Sequence, residues 1–401
     1  MAELHDYLIV GAGLAGAAAA QGIRELDGGG SILLVGNEPD PPYHRPPLSK
    51  GLWLGKESVD GIAYKPADEW RAQGVRLHLG DAVVALDATS KEIATAGGTR
   101  FAYRKLLLAT GGQARTLQVP AAVRERVHVL RTLSDYLRLH ELASRGGTVL
   151  IVGGSFIGAE MACALAAQPG VSVSMVFPGP GPLAQILPQP LTRVVADLYR
   201  AHGVHLYAED RVVEFAARSD GLLARTERGE QIEADWALAG VGVEPAVRLA
   251  QAAGLEVANG VRVNTLLQTS YPDIYAAGDL ASYPDPVWGE SIRPEHWDNA
   301  LASGRAAGRN MAGAGEAFHH QSMFFSDLFD IGFEAVGTLS SRLETYVDMA
   351  AGLNKGVVYY LRQNQVCGVL LWNTWEQVDA ARALIAAKQS VWPADLKGRL
   401  G

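Results

Sequence analysis

The stretch DYLIVGAGLAGAAAAQGIREL, residues 6–26, runs from an apolar strand through a glycine-rich turn into an alanine-rich helix. The turn carries Gly11, Gly13 and Gly16 in the spacing G-x-G-x-x-G. Glycines at these places let the backbone turn tightly and approach a pyrophosphate, whose charge is met by the N–H groups and dipole of the helix N-terminus. The stretch therefore predicts the first half of a dinucleotide-binding unit.

A second apolar strand, SILLVG, ends at Gly36, about 20 residues after Gly16. A dinucleotide-binding βαβ unit has its ribose-binding acid at this point. The sequence here reads VGNEP, so Asn37 and Glu38 share the position. Glu38 is alternatively a solvated loop charge. A G-x-G-x-x-G motif alone is weak evidence for a dinucleotide site. Here the strand, the helix and the second strand all fall at the required places, which makes the evidence stronger.

The same pattern occurs again in GGTVLIVGGSFIGAEMACALA, residues 146–166, followed by the strand VSVSMVF. Its turn has Gly153, Gly154 and Gly158, with Ser155 in the place of the middle glycine. Serine is small enough to preserve the close approach of the backbone. Two such units predict two bound nucleotides, and a chain that binds two most simply passes electrons between them.

Two further apolar strands end in glycine-containing turns, KLLLATGG (residues 105–112) and DIYAAGDLA (residues 273–281). The second carries Asp279, whose carboxylate suits hydrogen bonds from a polyol chain. A helix N-cap is the alternative role for Asp279, and the order of the segments disfavours it. That order predicts an FAD-binding domain of residues 1–115 and 246–318, interrupted by an NAD(P)H-binding domain of residues 116–245.

The composition changes from about His319 onward, where aromatic, alternating segments predict strands with a hairpin near Gln363 to Gln365. TWEQVDAARALIAAK then predicts a helix. Residues 319–401 are therefore expected to form an α+β domain, with most of its aromatics in the core and the remainder available to a ligand. The predicted fold class is α/β, with two Rossmann-like dinucleotide-binding domains and this C-terminal α+β domain.

Composition excludes several classes of protein. The 401 residues are 48% hydrophobic and 19% charged, which is typical of a soluble globular enzyme with two or three domains. A net charge of −8 argues against a broad basic surface for nucleic acid. Cys163 and Cys367 belong to no CxxC pair, which removes disulfide frameworks, zinc clusters and a vicinal redox disulfide.

The histidines predict no metal site, since even His319 and His320 are adjacent and poorly placed to share one ion. The first strand begins almost at the N-terminus, which leaves no room for a secretory signal. No apolar run reaches membrane-spanning length. We therefore expect a cytoplasmic protein that binds no membrane, as a monomer or a homodimer.

The segment RPPLSK, Arg45 to Lys50, contains a Pro-Pro pair that predicts a stiff, non-helical backbone. With this segment, the chain resembles over nearly its whole length the FAD-dependent NADH oxidoreductases that include apoptosis-inducing factor and oxygenase-coupled ferredoxin reductases, which have a glutathione-reductase-like fold. The resemblance is carried by YHRPPLSKGLW, LLATGG, GGSFIGAEMACALA, ILPQPL, AAGDLA, PEHWDNA, HQSMFFSDL and KGVVYYLR…VLLWN. PEHWDNA leans toward the ferredoxin reductases, and the last two toward apoptosis-inducing factor.

This resemblance implies that Arg45 lies near the FAD phosphates or ribityl chain and Lys50 near the reactive flavin edge. It also implies that Glu160 pairs with Lys50 beside the nicotinamide. Lys50 would then stabilise negative charge on the flavin, while Glu160 orients Lys50 and contacts the carboxamide. A carboxylate favoured by the helix dipole is the alternative for Glu160. Phe156 matches an aromatic lid over the flavin.

The segment Glu295, His296 and Trp297 matches the one that lines the opposite side of the flavin. The expected catalytic residues are Lys50, Glu160 and His296. The glycine motifs and the resemblance together give the following cofactor-binding residues: Gly11, Gly13, Leu14, Ala15, Gly16, Asn37, Glu38, Arg45, Lys50, Val83, Ala109, Thr110, Gly111, Gly278, Asp279, Glu295, His296, Trp297, Gly153, Gly154, Ser155, Phe156, Ile157, Gly158, Glu160, Gly242 and Trp372.

The sequence departs from the pattern at three places. Gly179 stands where the apoptosis-inducing-factor branch has a ribose-binding acid, and its loop has neither acid nor arginine. NADH is therefore expected with weak selectivity, and NADPH remains open. Phe325 replaces a tryptophan, and residues 340–355 replace a long insertion.

We expect hydride transfer from NADH to FAD and then electron transfer to an acceptor, as in a ferredoxin reductase. The alternatives are a slow, redox-sensing flavoprotein like apoptosis-inducing factor and an NADH oxidoreductase that uses quinones or oxygen. The expected partners are NADH and a ferredoxin or another small electron carrier. A disulfide reductase is disfavoured, because RPPLSK occupies the place of the redox cysteines.

Overall fold

A computed structural model describes residues 2–400. Its strands are β1 (Glu3–Val10), β2 (Ile32–Val35), β3 (Val75–His78), β4 (Val83–Asp87), β5 (Glu92–Thr95), β6 (Arg100–Leu108), β7 (Gly112–Ala114), β8 (Val127–His128), β9 (Gly147–Val152), β10 (Val171–Phe177), β11 (His205–Ala208), β12 (Val212–Ala217), β13 (Leu222–Thr226), β14 (Gln231–Ala234), β15 (Trp236–Ala239), β16 (Val243–Pro245), β17 (Val257–Ala258), β18 (Gly260–Arg262), β19 (Ile274–Ala276), β20 (Ala281–Pro284), β21 (Ser291–Ile292), β22 (Met323–Leu328), β23 (Ile331–Gly337), β24 (Glu344–Met349), β25 (Gly356–Arg362) and β26 (Gln365–Trp372).

The α-helices are α1 (Leu14–Arg24), α2 (Ala67–Ala72), α3 (Leu133–Ser144), α4 (Phe156–Ala166), α5 (Gln189–Ala201), α6 (Arg248–Ala252), α7 (Trp297–Met311), α8 (Val378–Ala386) and α9 (Pro393–Leu396). Short 3-10 segments are Pro46–Ser49, Asp60–Ile62, Ala121–Arg126 and Gly278–Leu280.

The chain divides into two compact units. Unit 1 holds residues 2–44, 59–113 and 244–322, and unit 2 holds residues 45–58, 114–243 and 323–400. Unit 2 thus groups residues 114–243 with residues 323–400. The division into three domains, which the sequence suggests, stays a prediction.

The main sheet of unit 1 has the order β3-β2-β1-β6-β5-β4, and β19 also pairs with β6. Strands β3, β2, β1, β6 and β19 run parallel to their neighbours. The four residues of β2 are at most 1% exposed, as expected for a central strand covered on both faces. The βαβ unit predicted from the first glycine motif is present as β1, α1 and β2.

Helices α1 and α7 of unit 1 approach to backbone contact. A Cβ atom added to Gly304 would lie 2.2 Å from the carbonyl oxygen of Ala15. One added to Gly308 would lie 2.0 Å from the carbonyl oxygen of Ala19. These separations are far below van der Waals contact, so α7 can only lie this close because both positions are glycine.

Unit 2 contains a parallel sheet of order β11-β10-β9-β15-β8, with α4 connecting β9 to β10. A small antiparallel sheet, β12-β13-β14, joins β11 to β15 along the chain. The C-terminal residues form an antiparallel sheet of order β22-β23-β26-β25-β24 with helix α8. The predicted class, α/β with two Rossmann-like parts and a C-terminal α+β part, is confirmed.

Three local expectations can be compared with the structure. The hairpin near residues 363–365 is confirmed, because Gln363 and Asn364 join β25 to β26 with φ of 50° and 61°, as a two-residue turn of this hand requires. The predicted C-terminal helix starts later, at Val378, since Glu376 has a left-handed φ of 64° that no helix accommodates. The non-helical backbone predicted for RPPLSK is wrong.

Pro46–Ser49 forms a 3-10 turn with prolines in its first two positions. Proline lacks an N–H group, but the N–H groups of a first helical turn have no intrahelical acceptor in any case. The proline ring also fixes φ at a helical value. The Pro-Pro pair therefore begins a turn here instead of preventing one.

Gly308→Ala should destabilise the protein by about 3 kcal/mol, because the new methyl group forces α1 and α7 apart. Thermal melting followed by circular dichroism measures this, with Ala302→Ser on the partly exposed side of α7 as the control. An unchanged melting temperature for Gly308→Ala would contradict the close approach of the two helices.

Candidate active site

The first glycine-rich turn forms an open cradle in front of α1. Gly11 has a φ of +121°, and a Cβ atom there would lie 2.1 Å from the carbonyl oxygen of Ala109. A Cβ atom on Gly16 would lie 2.1 Å from the carbonyl oxygen of Gly11. Gly13, by contrast, has nothing within 4 Å of its Cβ position, and no side chain caps α1. The first N–H groups of α1 are therefore available to a diphosphate.

The second turn, in front of α4, repeats this packing with one difference. Gly153 has a φ of +115°. A Cβ atom added to Gly158 would lie 2.1 Å from the carbonyl oxygen of Gly153. The Cβ position of Gly154 lies against the ring of Phe177. Ser155 does not cap α4 through its side chain, and its Oγ accepts a hydrogen bond from Gln185 at 3.0 Å. The residues present fit a second dinucleotide.

One of the two residues predicted to bind a ribose in unit 1 is an anchored carboxylate. Glu38 accepts a hydrogen bond of 2.6 Å from the Tyr43 hydroxyl, whereas Asn37 is exposed. The partly buried Glu38 is thus fixed by a neighbour, which a purely solvated loop charge would not be. Its contact with a ribose stays a prediction.

Hydrogen bonds to backbone atoms of Gly278 and Asp279 hold the turn that contains Asp279. The N–H of Gly278, which has a φ of +71°, donates to the Ser303 hydroxyl. Arg293 donates to the carbonyl oxygen of Asp279 at 2.9 Å and pairs with Glu295 at 2.6 Å. Asp279 lies within the short 3-10 segment that follows, so the N-cap alternative for it is not observed.

His296 and Trp297 lie at the start of α7. Burial lowers the pKa of His296 to about 4, so its imidazole is neutral near pH 7 and has one donor and one acceptor nitrogen. The indole N–H of Trp297 donates to Nδ1 of His44 at 2.9 Å. The remaining predicted contacts of unit 1 lie on α1, on β4 and on the turn after β6: Leu14, Ala15, Val83, Ala109, Thr110 and Gly111.

Glu160 is a buried carboxylate of unit 2 with three donors around it. Its side chain is 5% exposed, and its Oε1 lies 2.5 Å from the ammonium of Lys50. Ser326 donates to the same oxygen at 2.7 Å, and Ser49 donates to Oε2 at 2.5 Å. Burying a carboxylate is costly unless it is paired and hydrogen-bonded, and these contacts meet that cost. The structure thus brings the predicted Lys50 and Glu160 together.

Sequence reasoning missed the residues that support this pair. Ser49 and Ser326 were not singled out, although each is adjacent to a residue that was, Lys50 and Phe325. The ring of Phe325 lies 5.5 Å from the Lys50 ammonium, so this phenylalanine contacts the cation. Arg45 donates to the carbonyl oxygen of Arg131 within the same unit.

A row of aromatic rings connects Phe156 to the C-terminal sheet. Phe156 meets Phe324 edge to face at 5.3 Å, and Phe324 meets Phe333 at 6.5 Å. Phe333 stacks on Trp372 at 5.9 Å. The indole N–H of Trp372 is fully buried and has no acceptor among residues 2–400. A buried donor without a protein partner is suited to a bound ligand.

Glu334 is a partly buried carboxylate that sequence reasoning missed. It lies opposite Phe325 across the β22–β23 pair, and one of its carboxylate oxygens has no donor within residues 2–400. Burial raises the pKa of Glu334. No motif marks this residue, because its position follows from the register of two strands.

Gly179 has charged neighbours that its own loop lacks. Its carbonyl oxygen accepts a hydrogen bond of 2.9 Å from the N–H of Glu209, which follows the adjacent strand β11. Glu209 pairs with Arg228 at 3.4 Å, and both side chains are more than half exposed. An acid and a cation therefore stand beside this position. At the end of β15, Gly242 has a φ of +103° and its carbonyl oxygen accepts from Arg115.

Both cysteines are buried, and burial raises the pKa of the Cys163 thiol to about 12. Across residues 2–400, no three His, Cys, Asp or Glu side chains lie close enough to hold a metal ion. Within the same range, no helix combines the length and apolar character needed to cross a bilayer.

Comparison with known proteins decides the family. Residues 5–304 match the model of the pyridine nucleotide-disulphide oxidoreductases. The chain belongs to this family. Residues 307–352 and 346–387 match the C-terminal model of apoptosis-inducing factor, mitochondrion-associated.

Relatives in two branches match nearly the whole chain. The ferredoxin–NAD(+) reductase component of the anthranilate 1,2-dioxygenase system of Burkholderia cepacia is 33% identical, over 95% of this chain and 94% of its own. Apoptosis-inducing factor 1 of Dictyostelium discoideum is 30% identical, over 97% of this chain and 80% of its own. A ferredoxin reductase structure from Rhodopseudomonas palustris has a TM-score of 0.90 and 29% identity, over 97% of this chain and 96% of its own.

These findings confirm the resemblance given above and the prediction of an FAD-dependent NAD(P)H oxidoreductase similar to the ferredoxin reductases. Family membership implies that the chain binds FAD and a pyridine nucleotide. The individual residue roles, the cytoplasmic location and the oligomeric state stay predictions.

The purified protein should be yellow and release FAD, not FMN, on heating, because the cradle at Gly13 accommodates a diphosphate. Gly13→Asp should abolish flavin binding, since it introduces a negative charge in front of α1. Gly28→Asp is the control, because Gly28 also has nothing within 4 Å of its Cβ position but lies away from the cradle. Chromatography of the released cofactor and the visible flavin absorbance measure both. Recovery of FMN, or full flavin content in Gly13→Asp, would contradict the assignment.

Proposed function

We propose that this enzyme takes hydride from NADH onto FAD and passes the electrons to a ferredoxin or a similar small carrier. The observation that carries the proposal is the buried Lys50–Glu160 pair at the start of helix α4, next to the second glycine-rich turn. An ion pair this deeply placed, on the helix that follows a glycine-rich turn of the nucleotide-binding pattern, supports a catalytic role. The whole-length similarity to ferredoxin reductases agrees with it.

When bound, FAD accepts the hydride and releases the electrons to the acceptor. The protein side chains supply orientation and electrostatics. Lys50 offers a fixed positive charge to the electron density that develops as hydride arrives, and no water needs to reorganise to provide it. Glu160 holds the Lys50 ammonium in place and accepts from the nicotinamide carboxamide. Neutral His296 contributes a hydrogen-bond donor without adding charge.

Lys50→Ala and Glu160→Gln should each slow flavin reduction by NADH by roughly 10- to 1000-fold, the usual effect of losing one positioned electrostatic group. FAD content should not change, since both residues are proposed to act at the reacting rings and not at the diphosphate. Rapid-mixing spectrophotometry measures the rate. Lys91→Ala is the matched control, because it breaks a partly exposed lysine–carboxylate pair with Asp273. Normal reduction rates in both Lys50→Ala and Glu160→Gln would refute the assigned roles.

We infer further that NADH is preferred to NADPH and that Glu209 contributes to the preference. Neighbouring strands lie about 4.8 Å apart, so a glutamate side chain at the end of β11 can reach a ribose bound at Gly179. Its carboxylate accepts from ribose hydroxyls and repels a 2′-phosphate. The exposed pair with Arg228 is weak and leaves Glu209 available to a ligand.

Glu209→Gln should lower the ratio of kcat/KM for NADH to that for NADPH by about 10-fold. The variant removes the repulsion of the 2′-phosphate and releases Arg228 to bind it. Steady-state kinetics with a ferricyanide acceptor measures both efficiencies. Glu214→Gln is the control, since it breaks a similar exposed pair with Arg225 in the same small sheet region. A ratio that moves equally in both variants, or in neither, would show that Glu209 does not face the ribose.

A second function has a specific observation in its favour. The C-terminal residues match the family model of the apoptosis-inducing-factor C-terminus, which favours a slow, redox-sensing flavoprotein. A water-forming NADH oxidase is only 20% identical, so that likeness shows the fold alone. Ferredoxins are acidic, and docking one would require this net-acidic chain to concentrate cations locally.

Mixing the NADH-reduced protein with several ferredoxins in rapid kinetics should give fast reoxidation that slows as salt is raised, because charge steers the encounter. The same sample is examined by size-exclusion chromatography before and after reduction. Uniformly slow reoxidation together with an NADH-dependent change in size would favour the redox-sensing alternative. Rapid reoxidation by air in the absence of any carrier would favour the oxidase.

A further inference from the structure

The donors around Glu160 leave one acceptor position on its carboxylate. An ionised carboxylate has about four lone-pair positions, two on each oxygen. Oε1 receives both Lys50 and Ser326, while Oε2 receives Ser49. These are the donors that residues 2–400 provide to Glu160. The vacant position is therefore on Oε2.

The two serines come from segments that are far apart in the sequence. Ser49 ends the 3-10 turn of RPPLSK, and Ser326 lies in β22 of the C-terminal sheet. Ser326 is fully buried and Ser49 is 4% exposed, so neither hydroxyl can exchange Glu160 for bulk water. Phe325, next to Ser326, contacts the Lys50 ammonium. One dipeptide of β22 thus contacts both members of the ion pair.

Two hydroxyls on opposite oxygens fix the rotation of the carboxylate. The terminal torsion of glutamate is broad, so a single contact to Lys50 would leave the plane of the carboxylate free to turn. Ser326 on Oε1 and Ser49 on Oε2 oppose this turning, because any departure from the observed angle weakens a buried hydrogen bond to a charged group.

We propose that Ser49 and Ser326 are positioning residues that lock the Glu160 carboxylate, so that Oε2 alone accepts from the carboxamide N–H of the bound nicotinamide. The inference rests on the proposed function, in which Glu160 contacts that carboxamide. It assigns to the C-terminal sheet a part in orienting the pyridine nucleotide, which Ser326 exerts through Glu160.

The test compares two reductants in rapid-mixing kinetics with the intact FAD-loaded protein. NADH is one, and reduced 3-acetylpyridine adenine dinucleotide is the other, because its methyl ketone has no N–H to donate to Oε2. Ser326→Ala should slow reduction by NADH about 10-fold, the effect of weakening one hydrogen bond to a charged group. Reduction by the analogue should change less than about 2-fold, because that contact is already missing.

Ser49→Ala is the second variant and should slow reduction by NADH in the same selective way. Because Ser49 lies outside β22, a folding defect of that strand cannot explain the result in both variants. Ser282→Ala is the control, since Ser282 is a buried serine whose hydroxyl is hydrogen-bonded to that of Ser291 and not to Glu160. Equal slowing with both reductants in Ser49→Ala and Ser326→Ala would overturn the proposal, as would unchanged rates. A wild-type protein that neither nucleotide reduces would overturn the proposed function as well, whereas normal wild-type reduction with unaffected variants would overturn this inference alone.

Discussion

The burial of the Glu160 charge constrains the arrangement of unit 2. A carboxylate this deep in the protein is stable only while its donors remain in place, and they come from two separate segments, residues 49–50 and strand β22. The 3-10 turn of residues 46–49, helix α4 and strand β22 must therefore meet at one point. This requirement accounts for the grouping of residues 45–58 with unit 2, although unit 1 precedes and follows them in the chain.

The two glycine-rich turns use the same spacing for two physical purposes. Gly11 and Gly16, like Gly153 and Gly158, are required because backbone atoms of the same unit occupy the space of a side chain. Gly13 is different, since its side-chain space is empty. The first purpose closes the strand, turn and helix against one another, and the second leaves the front of the helix open to an anion. The motif therefore reflects both the packing of the backbone and the access of an anion to the helix.

Sequence alone predicted the elements whose signal is local. The βαβ units follow from apolar runs and glycine spacing within about 30 residues, and the hairpin at Gln363 and Asn364 follows from alternation around two turn-forming residues. The helical turn at Pro46 could not be predicted from a general preference of proline, because the first turn of a helix tolerates a missing N–H.

Contacts between distant segments account for what sequence could not predict. Ser326 reaches Glu160 across 166 positions, and nothing near either residue marks the contact. Glu209 meets Gly179 only because β11 pairs with β10 in one register. Lys50 and Glu160 were associated through resemblance to a family, which supplies long-range information that periodicity and spacing do not contain.

The packing of α1 on α7 affects how the chain folds while it is being synthesised. Helix α1 ends at Arg24, and its partner α7 begins only at Trp297. A ribosome adding about 5–20 residues per second needs roughly 15–50 s to synthesise the residues between them. Throughout that time the apolar face of α1 lacks its partner helix, and the high contact order of unit 1 postpones its completion. Newly made chains are therefore expected to need protection from aggregation until residue 322 has emerged.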